Sequence, residues 1–354
     1  MIAKLYLYQL VDMADKINIP KLKQHINKLQ LRPLKLNYFT PAYLNFTIPP
    51  VETEEKSWLI LPEKMPVSTS TKFYSLGSIA VKHKIEITGK DYEEILKKAE
   101  KIADNCSVFE QKTKKITKKS RELLEKQLGI KTYKGFEEDY AILWIKDKYN
   151  NGMVDSRVKN CIARFLRNEN MILSEYEQNE ALKYKFSYTP NDLTVVDWDR
   201  TLTIGEKSED DVWDVLEYAN LQLLQLRYYE FELDKQLKKI YEFSRAKRMP
   251  IIKYYQTHEM LQKTLEIFID FTSVEKRINN FLRLTGDEYL SRIYIAASKR
   301  MNMTKTQENL KERLLDTKEL YEMLSTEANA VRTEILETII ILLIIFEIIY
   351  AFYK

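Results

Sequence analysis

Residues 78–87, SIAVKHKIEI, alternate apolar and polar side chains. Ile79, Val81, His83, Ile85 and Ile87 share one face at period two, which predicts a strand with His83 among its apolar neighbours. A histidine there is expected to be a satisfied interior or edge residue, against the alternative of a functional one. The stretch KLYLYQLV near the start predicts a first strand. YAILWI at 140–145 is continuously apolar, as in a strand buried on both faces. LTVVDWDRTLTIG predicts two strands turning near Asp199 and Arg200. Between them, GKDYEEILKKAEKI predicts an amphipathic helix, with Asp91 as N-cap and Glu94 three residues on.

The pattern changes after residue 205. Seven of the nine prolines lie at or before Pro66 and six of the seven glycines at or before Gly205, so many short elements give way to long helices. From Ser208, an expected N-cap, apolar residues recur at spacings of four and three: Val212, Leu216, Ala219, Leu223, Leu226, Leu233, Leu237 and Ile240, with Glu230 in the ninth position. Asn220, Arg227 and Asp234 recur every seven residues beside this seam, and Arg227 and Asp234 are candidates for pairing across a helix interface. A further helix is expected over roughly 257–283. Residues 287–354 contain no glycine or proline and carry their own seam: Leu310, Leu314, Thr317, Tyr321, Leu324, Ala328, Val331, Ile335, Thr338, Leu342, Ile345, Ile349 and Phe352.

That seam runs into the most hydrophobic stretch, ILETIIILLIIFEIIYAFYK at 335–354. Thirteen of the residues 335–353 are Ile, Leu or Phe, each favouring membrane insertion by roughly 0.3–0.6 kcal/mol. Glu347 near the middle opposes insertion by up to about 3 kcal/mol. Three readings stand: a membrane anchor, which the balance favours; a buried helix of a soluble bundle; and a peripheral amphipathic helix. Glu347 lies opposite the seam, so it is a candidate contact for a second partner.

Composition narrows the chemistry. The net charge of +4 over 354 residues implies no global attraction to nucleic acid. One local tract, KTKKITKKSRELLEK at 112–126, holds seven basic residues against two acidic ones. Lys112, Lys114, Lys115, Lys118, Lys119 and Arg121 are candidate contacts for RNA or an anionic lipid surface, against the plainer reading of a solvated helix face. Asp197 and Asp199 could form a carboxylate pair, although at a hairpin tip such residues are usually turn formers. Cys106 and Cys161 are far apart and lack C-x-x-C spacing, and the histidines are His25, His83 and His258 alone. Neither a disulfide framework nor a metal site is expected. No Walker A, G-x-S-x-G, H-E-x-x-H or G-x-G-x-x-G is present, and no catalytic residue, cofactor or small-molecule substrate is expected. The N-terminus has neither the basic n-region of a signal peptide nor the acid-poor character of a transit peptide, so the body of the chain is expected in the cytoplasm.

Several stretches resemble the family of "required for meiotic nuclear division" proteins and their prokaryotic relatives. They are LYLYQLVDMADKINIPKLKQHI, YSLGSIAVKHKIEI, VVDWDRTLTI, LEYANLQLLQLRYYEFELDKQL and LETIIILLIIFEIIY, about a third of the chain. The resemblance implies a C-terminally anchored protein without known enzymatic activity, whose eukaryotic members are mitochondrial and support translation at the membrane. The resulting expectation is an α+β N-terminal domain (1–206), then a stalk of long antiparallel or coiled-coil-like helices (207–333), then a single C-terminal transmembrane helix (334–354). The expected role is a non-enzymatic, membrane-anchored scaffold or adaptor, single-pass, with its soluble part in the cytoplasm. Its expected partners are the lipid bilayer and either another protein or a second copy. The alternatives are an RNA- or anionic-lipid-binding protein acting through 112–126, and an enzyme whose site lies in the α+β domain.

Overall fold

The computed structural model describes residues 1–26, 31–33, 50–60, 65–149, 156–207, 210–245, 259–260, 262–273, 275–276 and 287–353. Ser208 lies outside these residues, as does part of the helix expected over 257–283; within that range, 262–273 are helical. The chain divides into two compact units, one of Met1–Gln225 with Arg277–Thr304 and one of Leu226–Lys276 with Lys305–Lys354.

The first unit is built on a nine-stranded sheet. Its strands are β1 (Ile2–Asp12), β2 (Leu31–Pro33), β3 (Val51–Ile60), β4 (Met65–Phe73), β5 (Ser78–Thr88), β6 (Glu137–Lys146), β7 (Lys185–Phe186), β8 (Leu193–Val196) and β9 (Arg200–Ile204). They lie in the order β2-β3-β4-β5-β1-β6-β9-β8-β7. The amino-terminal strand is therefore central, antiparallel to β5 on one side and β6 on the other. The pair β6–β9 is parallel, which requires a crossover, and α4 (Ser156–Arg167) and α5 (Glu175–Ala181) lie within it. Tyr140 to Ile145 are all buried, as a strand in mid-sheet requires.

One face of the sheet packs under helices. Leu5, Ile85, Ile87, Leu143, Ile145, Leu202 and Ile204 join Ile95, Leu96 and Ala99 of α2 (Tyr92–Asp104) and Ile162, Phe165 and Leu166 of α4 in one core. Val11, Ile79 and Val81 form a second core with Ile116 and Leu124 of α3 (Cys106–Leu128) and Ile19 and Leu22 of α1 (Ile19–Ile26). The start of α2 is sealed reciprocally. Asp91 Oδ1 accepts the Glu94 N–H at 2.8 Å, and Glu94 Oε2 accepts the Lys90 N–H at 2.8 Å. Gly129, at φ 65°, closes α3 in the left-handed conformation, its N–H reaching Glu125 O at 3.2 Å. The opposite face meets α6 (Asp210–Arg245), whose Trp213 ring lies 4.5 Å from Tyr6 and 6.2 Å from Trp144, and α7 (Glu288–Arg300), whose Tyr289 hydroxyl lies 3.3 Å from Thr194 Oγ1.

His83 sits where the two cores meet and is fully buried. Its Nδ1 lies 2.9 Å from Thr69 Oγ1 and its Nε2 3.0 Å from Thr113 Oγ1, so both ring nitrogens are matched. Burial, assisted by the Lys112 ammonium, holds its pKa down at about 4. The folded protein thus resists a proton that the unfolded chain accepts near pH 6.5. Stability contributed by the neutral imidazole is complete above that pH and is lost as pH falls toward 4, by about 2 kcal/mol at pH 5 and about 3 kcal/mol at pH 4. Asp12, which burial raises to about 6, acts in the opposite direction. Replacing His83 with Gln isolates the histidine: the variant is expected to lose less stability than the parent between pH 7 and pH 5. Equal urea midpoint shifts for the two would show that His83 is not held neutral.

The second unit contains the rest of α6, helical residues 262–273 and most of α8 (Met303–Tyr353). On α6 the seam residues Leu226, Leu233 and Ile240 are buried, and on α8 so are Leu310, Leu314, Thr317 and Tyr321. From Ile335 onward the same register is no longer buried. Ile335 is half-buried, and Thr338, Leu342, Ile345 and Ile349 are exposed.

The expectation of a transmembrane anchor at 334–354 is corrected here. Among the described residues no helix is long and apolar enough to cross a membrane. The reason is the spacing of the carboxylates. Glu334, Glu337 and Glu347 all fall within 334–351, and the longest run between two of them, Thr338–Phe346, rises only about 14 Å against a hydrocarbon core of ~30 Å. The single-pass membrane topology and membrane localisation expected from the sequence are not supported either.

Candidate functional site

The Lys-rich tract lies on α3. Phe109, Thr113, Ile116, Thr117, Ser120 and Leu124 form its buried face. Lys114, Lys115, Lys118 and Lys119 therefore point outward, while Lys112 and Arg121 are half-buried. Lys112 lies over the Trp58 ring at 5.7 Å, part of the packing around His83, and Lys114 pairs with Glu110 at 3.3 Å. Two of the six candidates thus belong partly to the core, and one of the outward four is matched on its own helix.

The two aspartates of VVDWDRT are turned toward separate basic partners. Both sit in the β8–β9 turn, but Asp197 is fully buried and its carboxylate lies between two guanidinium groups: Oδ2 is 3.4 Å from Arg167 Nε of α4, and Oδ1 is 3.2 Å from Arg300 Nε of α7. Oδ1 also accepts the Trp198 N–H at 2.9 Å. Arg300 continues to the Glu180 carbonyl and stacks over Tyr184 at 4.9 Å. Arg200, which begins β9, donates to Phe165 O at 3.2 Å and to Asn168 Oδ1, with Asn168 in the left-handed conformation at φ 56°. Burial raises the Asp197 carboxyl above its ordinary range, against the pull of Arg300, the Trp198 N–H and Arg167. Asp199 is also raised by burial, and its carboxylate turns toward Arg200 at 3.8 Å. The arrangement fastens α4, α7 and the turn into one piece.

A second buried cluster, which sequence reasoning missed, joins the opposite face of the sheet to α6. Lys72 of β4 donates to Glu217 Oε2 at 2.8 Å and Asp214 Oδ1 at 3.1 Å, and the Tyr74 hydroxyl donates to Glu217 Oε1 at 2.5 Å. Lys72 is 4% exposed and Glu217 3%. Burial opposes the ammonium, but Glu217, Asp214 and Glu52 outweigh it and push its pKa above the usual lysine range. The partners lie more than 140 positions apart in the chain. The only local signal was Lys72, a charge in a strand otherwise made of small polar and apolar residues.

In the second unit Asp234 pairs with Arg313 of α8, which also lies 3.8 Å from Glu230. Arg227 lies exposed on α6. Beside the Asp234–Arg313 pair runs a groove of about 670 Å³ lined by Leu237, Tyr241, Leu320 and charged neighbours. Glu347 is exposed near the end of α8. It shares that end with twelve exposed large apolar residues between Leu336 and Tyr350, ranging from 47% to 66% exposed. Their exposure sets this segment apart from the ordinary surface, because single exposed apolar residues are common and a continuous sleeve of them is not. Among the described residues no group of three or more His, Cys, Asp or Glu is placed to hold a metal ion.

The chain belongs to the family defined by the N-terminal domain of the uncharacterized protein MJ0711, whose pattern matches residues 3–211. That span takes in the whole sheet and ends at the first turn of α6. The chain is 26% identical over 292 residues to the uncharacterized protein MJ0711 of Methanocaldococcus jannaschii, covering 79% of this chain and 86% of that protein. No solved structure matches. The resemblance to the meiotic nuclear division family is untouched by this relative.

Proposed function

We propose that this member of the MJ0711 N-terminal-domain family is a scaffold or adaptor that acts by binding protein through the far end of α8. The observation that carries the reading is the sleeve of twelve exposed apolar residues from Leu336 to Tyr350. A helix apolar around its whole circumference is a helix whose cover is missing, and apolar contact with a partner is the ordinary cover. The ionic clusters support the same reading. Each joins sheet to helix and makes the first unit a stiff body, with Asp197, Glu217 and Lys72 committed to internal partners. The likeness to the meiotic nuclear division family points to a partner in translation or another assembly.

A photoreactive amino acid at Leu342 of the full chain in cells tests this. Discrete adducts that disappear when Ile345 and Ile349 are replaced by Asp are the expected result. Irradiation that yields no adduct at Leu342 removes the reading.

A further inference from the structure

The partner at this sleeve is set by where its carboxylates fall. Carried past Tyr321, the seam assigns heptad positions a to Ile335, Leu342 and Ile349 and d to Thr338 and Ile345. Ile339 and Phe346 then occupy e, and Ile341 and Ile348 occupy g. Of the remaining places, Glu337 holds one c and Glu347 one f, alongside Leu336, Ile340, Leu343, Ile344 and Tyr350. In a helical bundle a and d form the core, e and g flank it, and c and f face outward. Every position that a bundle dries is therefore uncharged from Ile335 to Ile349, and both charges fall where a bundle stays wet.

We infer that the occupant of this surface is the same helix of a second copy, so that the chain self-associates through a parallel bundle of its α8 ends. The inference rests on the protein-binding reading above and names its partner. Three arguments favour a second copy. A seam with its own apolar flanks is self-complementary, and rotational symmetry closes such an interface. Ile or Leu at a (Ile335, Leu342, Ile349) with Ile345 at d favours three or four strands over two, and apolar e and g positions widen the face further in that direction. The area suffices: eight aliphatic or aromatic residues at a, d, e and g, at about 60–120 Å² each, give on the order of 500–1,000 Å² per copy, against ~800 Å² per partner in a standard interface. The same register runs through the buried Leu310, Leu314, Thr317 and Tyr321 and on to the exposed Thr338, Leu342, Ile345 and Ile349. Its first half is covered within the chain, and its second half is left for another chain.

The test is made on the full chain with Cys106 and Cys161 replaced by Ser. Ile345→Cys (position d) and Glu347→Cys (position f) are oxidised separately, and the chain without either is sized by light scattering. The expected result is a trimer or tetramer, with Ile345→Cys forming the disulfide-linked dimer at least tenfold more efficiently than Glu347→Cys. A monomer at micromolar concentration overturns the inference, as do equal crosslinking at the two positions and entry into phosphatidylcholine vesicles as a monomer. The Leu342 adducts separate the two claims. Adducts at multiples of the chain mass support both, a discrete adduct with a different protein leaves the scaffold reading and removes self-association, and no adduct removes both.

Discussion

Lys72→Met is expected to lower the stability of the sheet unit by about 3–5 kcal/mol, the range for breaking a buried ion pair from one side. The substitution keeps most of the length of the side chain and removes the ammonium group that donates to Glu217 and Asp214. Glu217, 3% exposed, then keeps the Tyr74 hydroxyl but loses its cation, and Asp214 loses its partner too. A urea midpoint lower by about 1–2 M, followed by the fluorescence of Trp213 in its contact with Tyr6, is the expected reading. Adding Glu217→Leu should restore much of the loss, because a buried pair replaced by apolar residues is often neutral or better. A midpoint within about 0.3 M of the parent for Lys72→Met alone would mean that the cluster does not hold α6 to the sheet.

Asp197→Ala is expected to cost about 2–4 kcal/mol, somewhat less than a fully buried break, since Arg167 also lies 3.5 Å from Glu177 and Arg300 keeps the Glu180 carbonyl and the Tyr184 ring. Two guanidinium groups would then face each other without the carboxylate that separates them. For a unit of this size the melting temperature should fall by about 5–12 °C. Arg300→Met, which removes one clamp and leaves the other, should cost less than Asp197→Ala. If Asp197→Ala melted like the parent, the buried carboxylate would need another explanation, and the catalytic reading set aside above would regain its interest.

The two clusters mark where sequence reasoning reaches its limit. Periodicity depends on neighbours along the chain, so it found β5 from Ile79 to Ile87, the doubly buried β6 and the α6 seam. The Asp91–Glu94 cap was equally legible, because all its partners lie within four residues. His83 was placed correctly among apolar residues by the same alternation. Lys72 and Glu217 were invisible, since each looks like an ordinary surface charge until β4 and α6 meet. Asp197 was legible as a turn residue, but its ion pairs were not. Its nearest charge in sequence is Asp199, whereas its nearest charges in space come from α4 and α7. The C-terminal segment failed differently. Its total apolar content suggested a span, but content does not register that Glu334, Glu337 and Glu347 leave no apolar run of sufficient length. The heptad assignment, by contrast, reads directly from the same residues.

The central place of β1 bears on how the protein is made. β1 is made well before either of its neighbours: β5 begins at Ser78 and β6 at Glu137, and β9 completes the sheet core only at Ile204. At ~5–20 residues per second, β6 follows β1 by on the order of ten seconds. For that time Leu5, Tyr6, Tyr8 and Leu10, all buried in the finished fold, lack half of their cover. A sheet assembled from such distant pairings also folds slowly. Nascent β1 accordingly gains from a chaperone, and a pause in synthesis before residue 137 should be more harmful to yield than one after residue 204.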